Sequence, residues 1–507
     1  MTDNANTNTI IPLQQATLSL LAEQLGGKVK LPQYDRSAIT PGIVHFGVGG
    51  FHRAHQAYYL HRLMNVGQSR DWGIVGAGIL PGDRAMRDAL QTQDCLYTLV
   101  AKNADGSWDT EIVGSIIEYM YGPDAPQALV EKLADPRIRI VSLTITEGGY
   151  NLDQTTGDFL LNTPEVQADL QPGALPGTVF GYIYEGLKCR KERGMAPFTV
   201  MSCDNILDNG AAARRAILTF AREKDAEIAA WIEKNVRFPS CMVDRITPRT
   251  EPKDIEAVCA QYGYRDNWPV VTEPFIQWVL TDDFNSGRPA YDAAGVQMVK
   301  DVEPYELMKL RLLNASHQGL AYFGWLGGFR LVHDAVQNDL IAKFLLKFMD
   351  EEATPTLEPV PGIDLDAYKQ SLIARFSNAE VRDTVARLAA ETSDRIPKWF
   401  VPMIQKQLAN GGKVLCLAAI VASWARYAEG VDEQGAPIEV VDNIKEQVCA
   451  AAARNKEDAL AFLRQESLFG DLAEQERFAD AYARVLASLH GVGAMETLRR
   501  ILADELA

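Results

Sequence analysis

Five short runs rich in β-branched residues punctuate the first part of this chain: IVHFGVGG (43–50), WGIVGAGI (72–79), IRIVSLTIT (138–146), FTVMSCDN (198–205) and WPVVTEPF (268–275). Amphipathic stretches long enough to be helices separate them. Strands spaced by helices build βαβ units, and these demand a mainly parallel sheet covered on both faces. The expectation is a doubly wound α/β architecture.

From PYELMKL (304–310) onward the period changes to 3.6 residues and no convincing strand run follows, so a second, mostly α-helical domain is expected. The cluster FNSGRPAYDAAG (284–295) marks the change and sets domains at 1–295 and 296–507. A chain of 507 residues requires such a division, because single cores stop growing at roughly 250–300 residues. No repeat at solenoid periods competes.

Several classes are disfavoured. The formal charge is −17, from 50 Lys+Arg against 67 Asp+Glu, and the basic residues are scattered, so nucleic acid is not an expected partner. Seven cysteines at irregular spacing, without a C-x-x-C pair, suit reduced thiols in a cytosol. MTDNANTNTIIPLQQ lacks the pattern of a secretory signal. The apolar run VLCLAAIVASWA (414–425) is shorter than the roughly 20 residues of a membrane span. A cytoplasmic protein without membrane association is expected.

In HFGVGGFHRAHQAYYLHRLMNVG a strand ends at Phe46, Gly47-Val48-Gly49-Gly50 turns, and a helix runs to about Gly67. Glycines let backbone approach a pyrophosphate, and the N–H groups of a helix N-terminus bind the anion. The third glycine of the usual fingerprint falls on His52, so a turn that simply needs positive φ is an equal reading of the loop alone. Its position after the first strong strand, with Arg53 placed to meet a phosphate, favours a dinucleotide. Asp83, after the second run, can accept from an adenosine ribose and repel a 2′-phosphate, which favours NAD over NADP; it can equally cap the helix from Arg84.

A polar set interrupts MKLRLLNASHQGL (308–320). At 100° per residue Lys309, Glu306, His317 and Asn314 fall at about 0°, 60°, 80° and 140°, on one broad face. For a lone lysine a solvated stripe is the better reading. An amine, an amide, an imidazole and a carboxylate in an apolar helix argue against it. A desolvated lysine beside a cationic nicotinamide is a proton acceptor near neutral pH, and Asn and His donate to an alkoxide without competing for that proton. The seven histidines do not join cysteines at zinc-ligand spacing, and no G-x-S-x-G elbow occurs. No metal is expected.

The stretches GVGGFHRAHQAYY (47–59), SLTITEGGY (142–150), FTVMSCDN (198–205), MVDRITP (242–248) and EPFIQWVL (273–280), with Lys309-x4-Asn314-x2-His317, resemble the polyol-specific long-chain dehydrogenase/reductase family over nearly the whole chain. That resemblance implies a Rossmann-type N-terminal domain, a mostly helical C-terminal domain, and metal-independent interconversion of a polyol and a ketose with a nicotinamide cofactor. By the same resemblance Lys309 is the catalytic base, Asn205 and Asn314 are the oxyanion donors, His317 binds substrate and Glu306 conducts the proton. Asp244 and Arg387 are implied in substrate binding, and Gly47, Gly49, Gly50, Phe51, Arg53, Asp83 and Glu147 in cofactor binding. The alternative for Asp244-Arg245 is a structural ion pair or turn.

The mannitol-oxidising members are the most similar, which implies D-mannitol and D-fructose as substrates and allows a monomer. Two departures touch specificity. Arg395, in ETSDR (391–395), stands where those members tend to carry lysine, and Gly82-Asp83 replaces what is often a pair of acids, so NADP is not strongly barred. Arabinitol 4-dehydrogenation and fructuronate or tagaturonate reduction are the competing activities, and a nicotinamide-binding sensor without catalysis is the competitor of another class.

Overall fold

The computed structural model describes residues 10–153 and 157–506. Two compact units divide the chain, Met1–Val302 and Glu303–Ala507. The break follows the expected 295/296 boundary because strand Gln297–Val299 pairs in parallel with Gln277–Thr281 and so stays in the first unit.

The first unit is built on five parallel strands: β1 (Pro41–Phe46), β2 (Gly73–Gly78), β3 (Ile116–Tyr121), β4 (Ile140–Leu143) and β5 (Thr199–Ser202), in spatial order 3-2-1-4-5. This is the doubly wound order, with a switch point between β1 and β4. Successive side chains go to opposite faces. Ile43, Ile74, Ile140 and Met201 enter one apolar cluster, and Val44, Val75, Val141 and Val200 enter the other. Each such side chain removed from water contributes about 1.5–3 kcal/mol. The continuous apolar runs of these strands follow from burial on both sides.

One expectation needs adjustment. The run at 268–275 does not join this sheet; Val270–Thr272 pairs in parallel with Tyr97–Lys102, which also pairs antiparallel with Trp108–Val113. The place at the sheet edge is taken by β3, whose Glu118 side chain is 42% exposed and interrupts the apolar pattern that marks the inner strands. A third sheet joins Cys241–Asp244, Gln277–Thr281 and Gln297–Val299. Ile11–Pro12 lies parallel to Tyr264–Arg265, and Leu13 N–H donates to the Arg265 carbonyl at 2.9 Å.

In the second unit every regular element among the described residues is helical. Helix Leu415–Tyr427 is buried along its length except at Leu415 and Arg426, as expected from its apolar run. Among the described residues no helix is long and apolar enough to cross a membrane.

Candidate active site

In the first unit the sequence-selected residues gather at the carboxyl ends of the strands, where open α/β sheets bind ligands. After β1, Gly47 adopts φ +90°, and a Cβ there would lie 2.0 Å from the Thr144 carbonyl oxygen. Glycine is therefore required by the close approach of the β4 end. Gly49 differs: its φ is −94° and the nearest atom to an added Cβ is the Gly47 oxygen at 3.9 Å. Nothing in the protein demands glycine there. At Gly50 a Cβ would make ordinary contacts with Thr247 and Val270.

The helix that follows is not continuous. Helix α1 (Gly50–Ala54) is broken at His55 from α2 (Gln56–Asn65), and His55 Nε2 lies 2.8 Å from the Gln277 carbonyl. Phe51 stacks on the His55 ring at 4.9 Å. His52, at the missing third glycine, stacks on His45 with centroids 3.4 Å apart and planes 13° apart. His45 reaches Ser142 Oγ at 2.8 Å and Thr144 Oγ1 at 2.9 Å, and burial holds its pKa down to about 3. Ring stacking thus replaces the close helix–strand contact that a third glycine allows.

Arg53 corrects an expectation. Its side chain is fully buried, donates to the Trp268 carbonyl and stands over the Tyr97 ring at 5.2 Å. The guanidinium has no accessible surface to offer a phosphate, which leaves anion binding to backbone N–H groups. After β2, Asp83 Oδ2 accepts from the N–H groups of Ile79 and Leu80, both at 2.9 Å. The carboxylate thus closes the turn before helix Asp83–Gln91 instead of capping its first amides. Gly78 permits this, since a Cβ there would sit 2.7 Å from Asp83 Cβ.

After β4, Glu147 is exposed on the short helix Thr146–Gly149. After β5 comes Asn205, preceded by Asp204, a residue that sequence reasoning passed over within an apolar run. The Asp204 carboxylate accepts from Ile145 N–H (3.0 Å), Thr146 N–H (2.8 Å) and Tyr150 OH (2.7 Å). Asp244, 4% exposed, ends strand Cys241–Asp244 opposite Gln277. Neighbouring Arg245 donates to the carbonyls of Ala54 (2.5 Å) and Glu273 (3.1 Å), tying the end of α1 to the strand region beside it.

In the second unit, α3 (Glu303–Met308) runs into a π-helical segment, Lys309–Asn314, and then α4 (Ala315–Leu326). Ala315 N–H donates to the Leu310 carbonyl, five residues back. The 100° register is therefore interrupted. Winding i→i+5 brings residues five apart to the same side, so Lys309 and Asn314 lie roughly one turn apart instead of far round the helix. Glu306, Lys309 and Asn314 are all buried, at 8%, 9% and 7% exposure. π-Segments are rare and are frequently found at functional sites.

A second π-segment, Met349–Ala353, packs on the first. Its Glu352 is buried and accepts from the N–H groups of Cys416 (2.7 Å) and Leu417 (2.8 Å) at the start of α5 (Leu415–Tyr427). Burial raises the Glu352 pKa to about 7 against these donors. Arg311, within the first π-segment, donates to the Thr356 carbonyl at 2.5 Å.

His317 lies 4.6 Å from the Phe376 ring, and its charge bears on Asp383. Asp383 holds Arg387 through Nε (2.6 Å) and Nη2 (2.5 Å), a fork that fixes the guanidinium plane. Burial works to raise the Asp383 pKa, but Arg387, with His317 adding, brings it below the usual carboxylate value. The spacing Asp383-x3-Arg387 was a readable signal for this pair. Arg395 Nη1 donates to the Leu388 carbonyl at 2.8 Å, which also accepts from Gln318 of α4 at 3.1 Å. The unit thus brings α4 together with the segments carrying Arg387 and Arg395. Among the described residues no group of His, Cys, Asp and Glu is arranged to hold a metal.

Comparison with known proteins bears on both units. Residues 41–293 match the family model described as mannitol dehydrogenase Rossmann domain, and residues 301–490 that of the mannitol dehydrogenase C-terminal domain. The chain is 43% identical to mannitol 2-dehydrogenase of Aspergillus fumigatus over 97% of its own length and 99% of the relative's. It is 44% identical to mannitol dehydrogenase DSF1 of Saccharomyces cerevisiae, over 93% and 94%. Among solved structures it is similar to Pseudomonas fluorescens mannitol 2-dehydrogenase in ternary complex with NAD and D-mannitol, with a TM-score of 0.86, 43% identity, and coverage of 97% and 100%. A D-sorbitol dehydrogenase in substrate-free form matches at TM-score 0.87, 36% identity and the same coverage.

Proposed function

This chain belongs to the mannitol dehydrogenase family and is an NAD-dependent polyol dehydrogenase; we propose that it interconverts D-mannitol and D-fructose, with Lys309 as the general base. The observation that carries the reading is the pairing of two buried polar side chains, Lys309 and Asn314, in a segment wound so that they lie one turn apart.

The first unit fits the dinucleotide. Gly49 has a glycine's openness without a protein atom to explain it, which suits backbone that must approach a pyrophosphate. Asp83, its carboxylate fixed by two backbone amides, favours a ribose diol over a 2′-phosphate. When bound, the cofactor supplies the hydride acceptor.

The remaining work falls to side chains. In oxidation the neutral amine of Lys309 takes the proton of the C2 hydroxyl as hydride leaves that carbon. Asn205 and Asn314 donate amide hydrogens to the developing alkoxide, a role in which one donor contributes roughly 100- to 1000-fold. His317, Asp244 and Arg387 orient the remaining hydroxyls, and Glu306 passes the proton from Lys309 toward water. In reduction the Lys309 ammonium returns the proton to the carbonyl oxygen. Localisation in the cytoplasm completes the proposal, and the family resemblance allows action as a monomer.

Arg395 favours a second reading, reduction of a uronate such as fructuronate or tagaturonate, because a guanidinium accepts a carboxylate in a planar fork. Its Nη1 is already committed to the Leu388 carbonyl, which narrows that option. Turnover of mannitol, arabinitol, sorbitol and fructuronate, followed at the NADH absorbance band with wild type and Lys309→Ala, tests both. Mannitol turnover lost by at least about 100-fold in the variant is expected; near-normal turnover by Lys309→Ala defeats the mechanism, and uronate turnover alone defeats the substrate. Nucleotide binding with no turnover of any of these would revive the sensor.

A further inference from the structure

We propose that Asp204 is a positioning residue that holds the Glu147-bearing turn and the backbone leading into Asn205 in one register; this rests on the alkoxide-donor reading of Asn205.

Three ties meet on the one side chain. Oδ2 accepts from Ile145 N–H and Tyr150 OH, and Oδ1 accepts from Thr146 N–H, so the carboxylate grips both ends of the turn that follows β4. Tyr150 OH lies 2.5 Å from Ser202 Oγ, at the end of β5, which closes the network onto the neighbouring strand. The main chain is held as firmly: the Asp204 carbonyl accepts from Asn209 Nδ2 at 2.9 Å, and Asn209 in turn exchanges hydrogen bonds with both backbone groups of Cys241. Asn205 is the next residue after this anchor.

The backbone records the demand. Thr146 has φ +66°, a left-handed conformation that is a true outlier for a β-branched residue. Such a conformation persists only where surrounding contacts over-determine it. The bond from its own N–H to Asp204 is one contact that holds it there.

An ionised carboxylate is acceptor-only and can serve three donors at once, whereas the protonated acid surrenders one oxygen's capacity. The charged and titratable groups around it are Glu147 on the turn, Tyr150, and Cys203 with Cys241 beyond it. Burial is the largest influence and raises the Asp204 pKa to about 6, with Glu147 adding to it and the Tyr150, Ile145 and Thr146 donors opposing. The grip is complete above that pH and slackens below it.

The test compares wild type, Asp204→Asn and Tyr150→Phe with NAD and D-mannitol across pH. Asp204→Asn is expected to lower kcat by tenfold or more and to erase an acid limb near pH 6. Tyr150→Phe, which removes one donor to the ionised form, is expected to keep that limb and move it to higher pH. Amide hydrogen exchange over residues 144–150, expected to be faster in Asp204→Asn, reads the tether without turnover. Unchanged exchange, or a lower Tm with kcat and the shape of the pH profile retained, overturns the proposal. A wild type that turns over no polyol tells instead against the roles of Lys309 and Asn205.

Discussion

Lys309 and Asn314 lie five positions apart on a π-helical segment, so the amine and the amide rise from the same side of the chain. On a regular α-helix they would diverge by about 140°. Interactions realised only as charge develops lower kcat when removed and leave substrate affinity nearly unchanged. Asn205→Ala and Asn314→Ala are therefore each expected to reduce kcat roughly 100-fold, with KM for mannitol altered by a few-fold at most. Steady-state kinetics check this, and a loss confined to KM would assign both residues to ground-state binding.

Gly47 and Gly49 are expected to fail differently. Gly47→Ala forces a Cβ to 2.0 Å from the Thr144 oxygen at φ +90° and should lower Tm sharply or prevent folding. Gly49→Ala meets no protein atom closer than 3.9 Å, so its Tm should match wild type while NAD affinity drops by tenfold or more. Thermal unfolding and NAD titration by protein fluorescence separate the two. Wild-type NAD affinity in Gly49→Ala would remove the loop from pyrophosphate binding.

Asp83→Ala is expected to raise kcat/KM with NADP by at least tenfold and to lower it with NAD. The substitution removes the negative charge that opposes a 2′-phosphate, and it frees the Ile79 and Leu80 amides that now bind the carboxylate. Parallel assays with the two cofactors decide it. An unchanged ratio would leave Asp83 with a turn-closing role alone.

Glu352 makes stability depend on pH. Its folded pKa of about 7 lies above the ordinary 4.5, so the native state binds the proton more tightly than the unfolded chain. The contribution is fully present below about pH 4.5 and is lost as pH rises through about 7. The total is about 3 kcal/mol. Urea denaturation at pH 5 and pH 8 should show a smaller difference for Glu352→Gln than for wild type, and equal differences would place the titration elsewhere.

Four strands of the central sheet were legible as β-branched runs because they are buried on both faces, and the order of domains followed from the change of period. The edge strand β3 escaped notice since Glu118 breaks its apolar run, and Val270–Thr272 carries the same composition as the inner strands while pairing in another sheet. Composition reports burial but not the pairing partner. The π-winding was invisible for a related reason: leucines at 307, 310, 312 and 313 fill most of the helix circumference, so one extra residue per turn leaves no trace in periodicity. Arg53 was misplaced because the loop motif fixes where the helix starts but not where a long side chain turns. Asp204 required a three-dimensional view, since its donors come from residues some sixty positions earlier.

The pairing of Ile11–Pro12 with Tyr264–Arg265 ties the beginning of the first unit to its late sequence. On the ribosome those early residues must wait for more than two hundred others, on the order of 10–50 s at ordinary elongation rates. Through that interval the nascent first unit has no partner for the strand Ile11–Pro12. Synthesis speed upstream of Tyr264, more than any single contact, then sets how long unpaired strand is exposed to chaperones or to neighbouring chains.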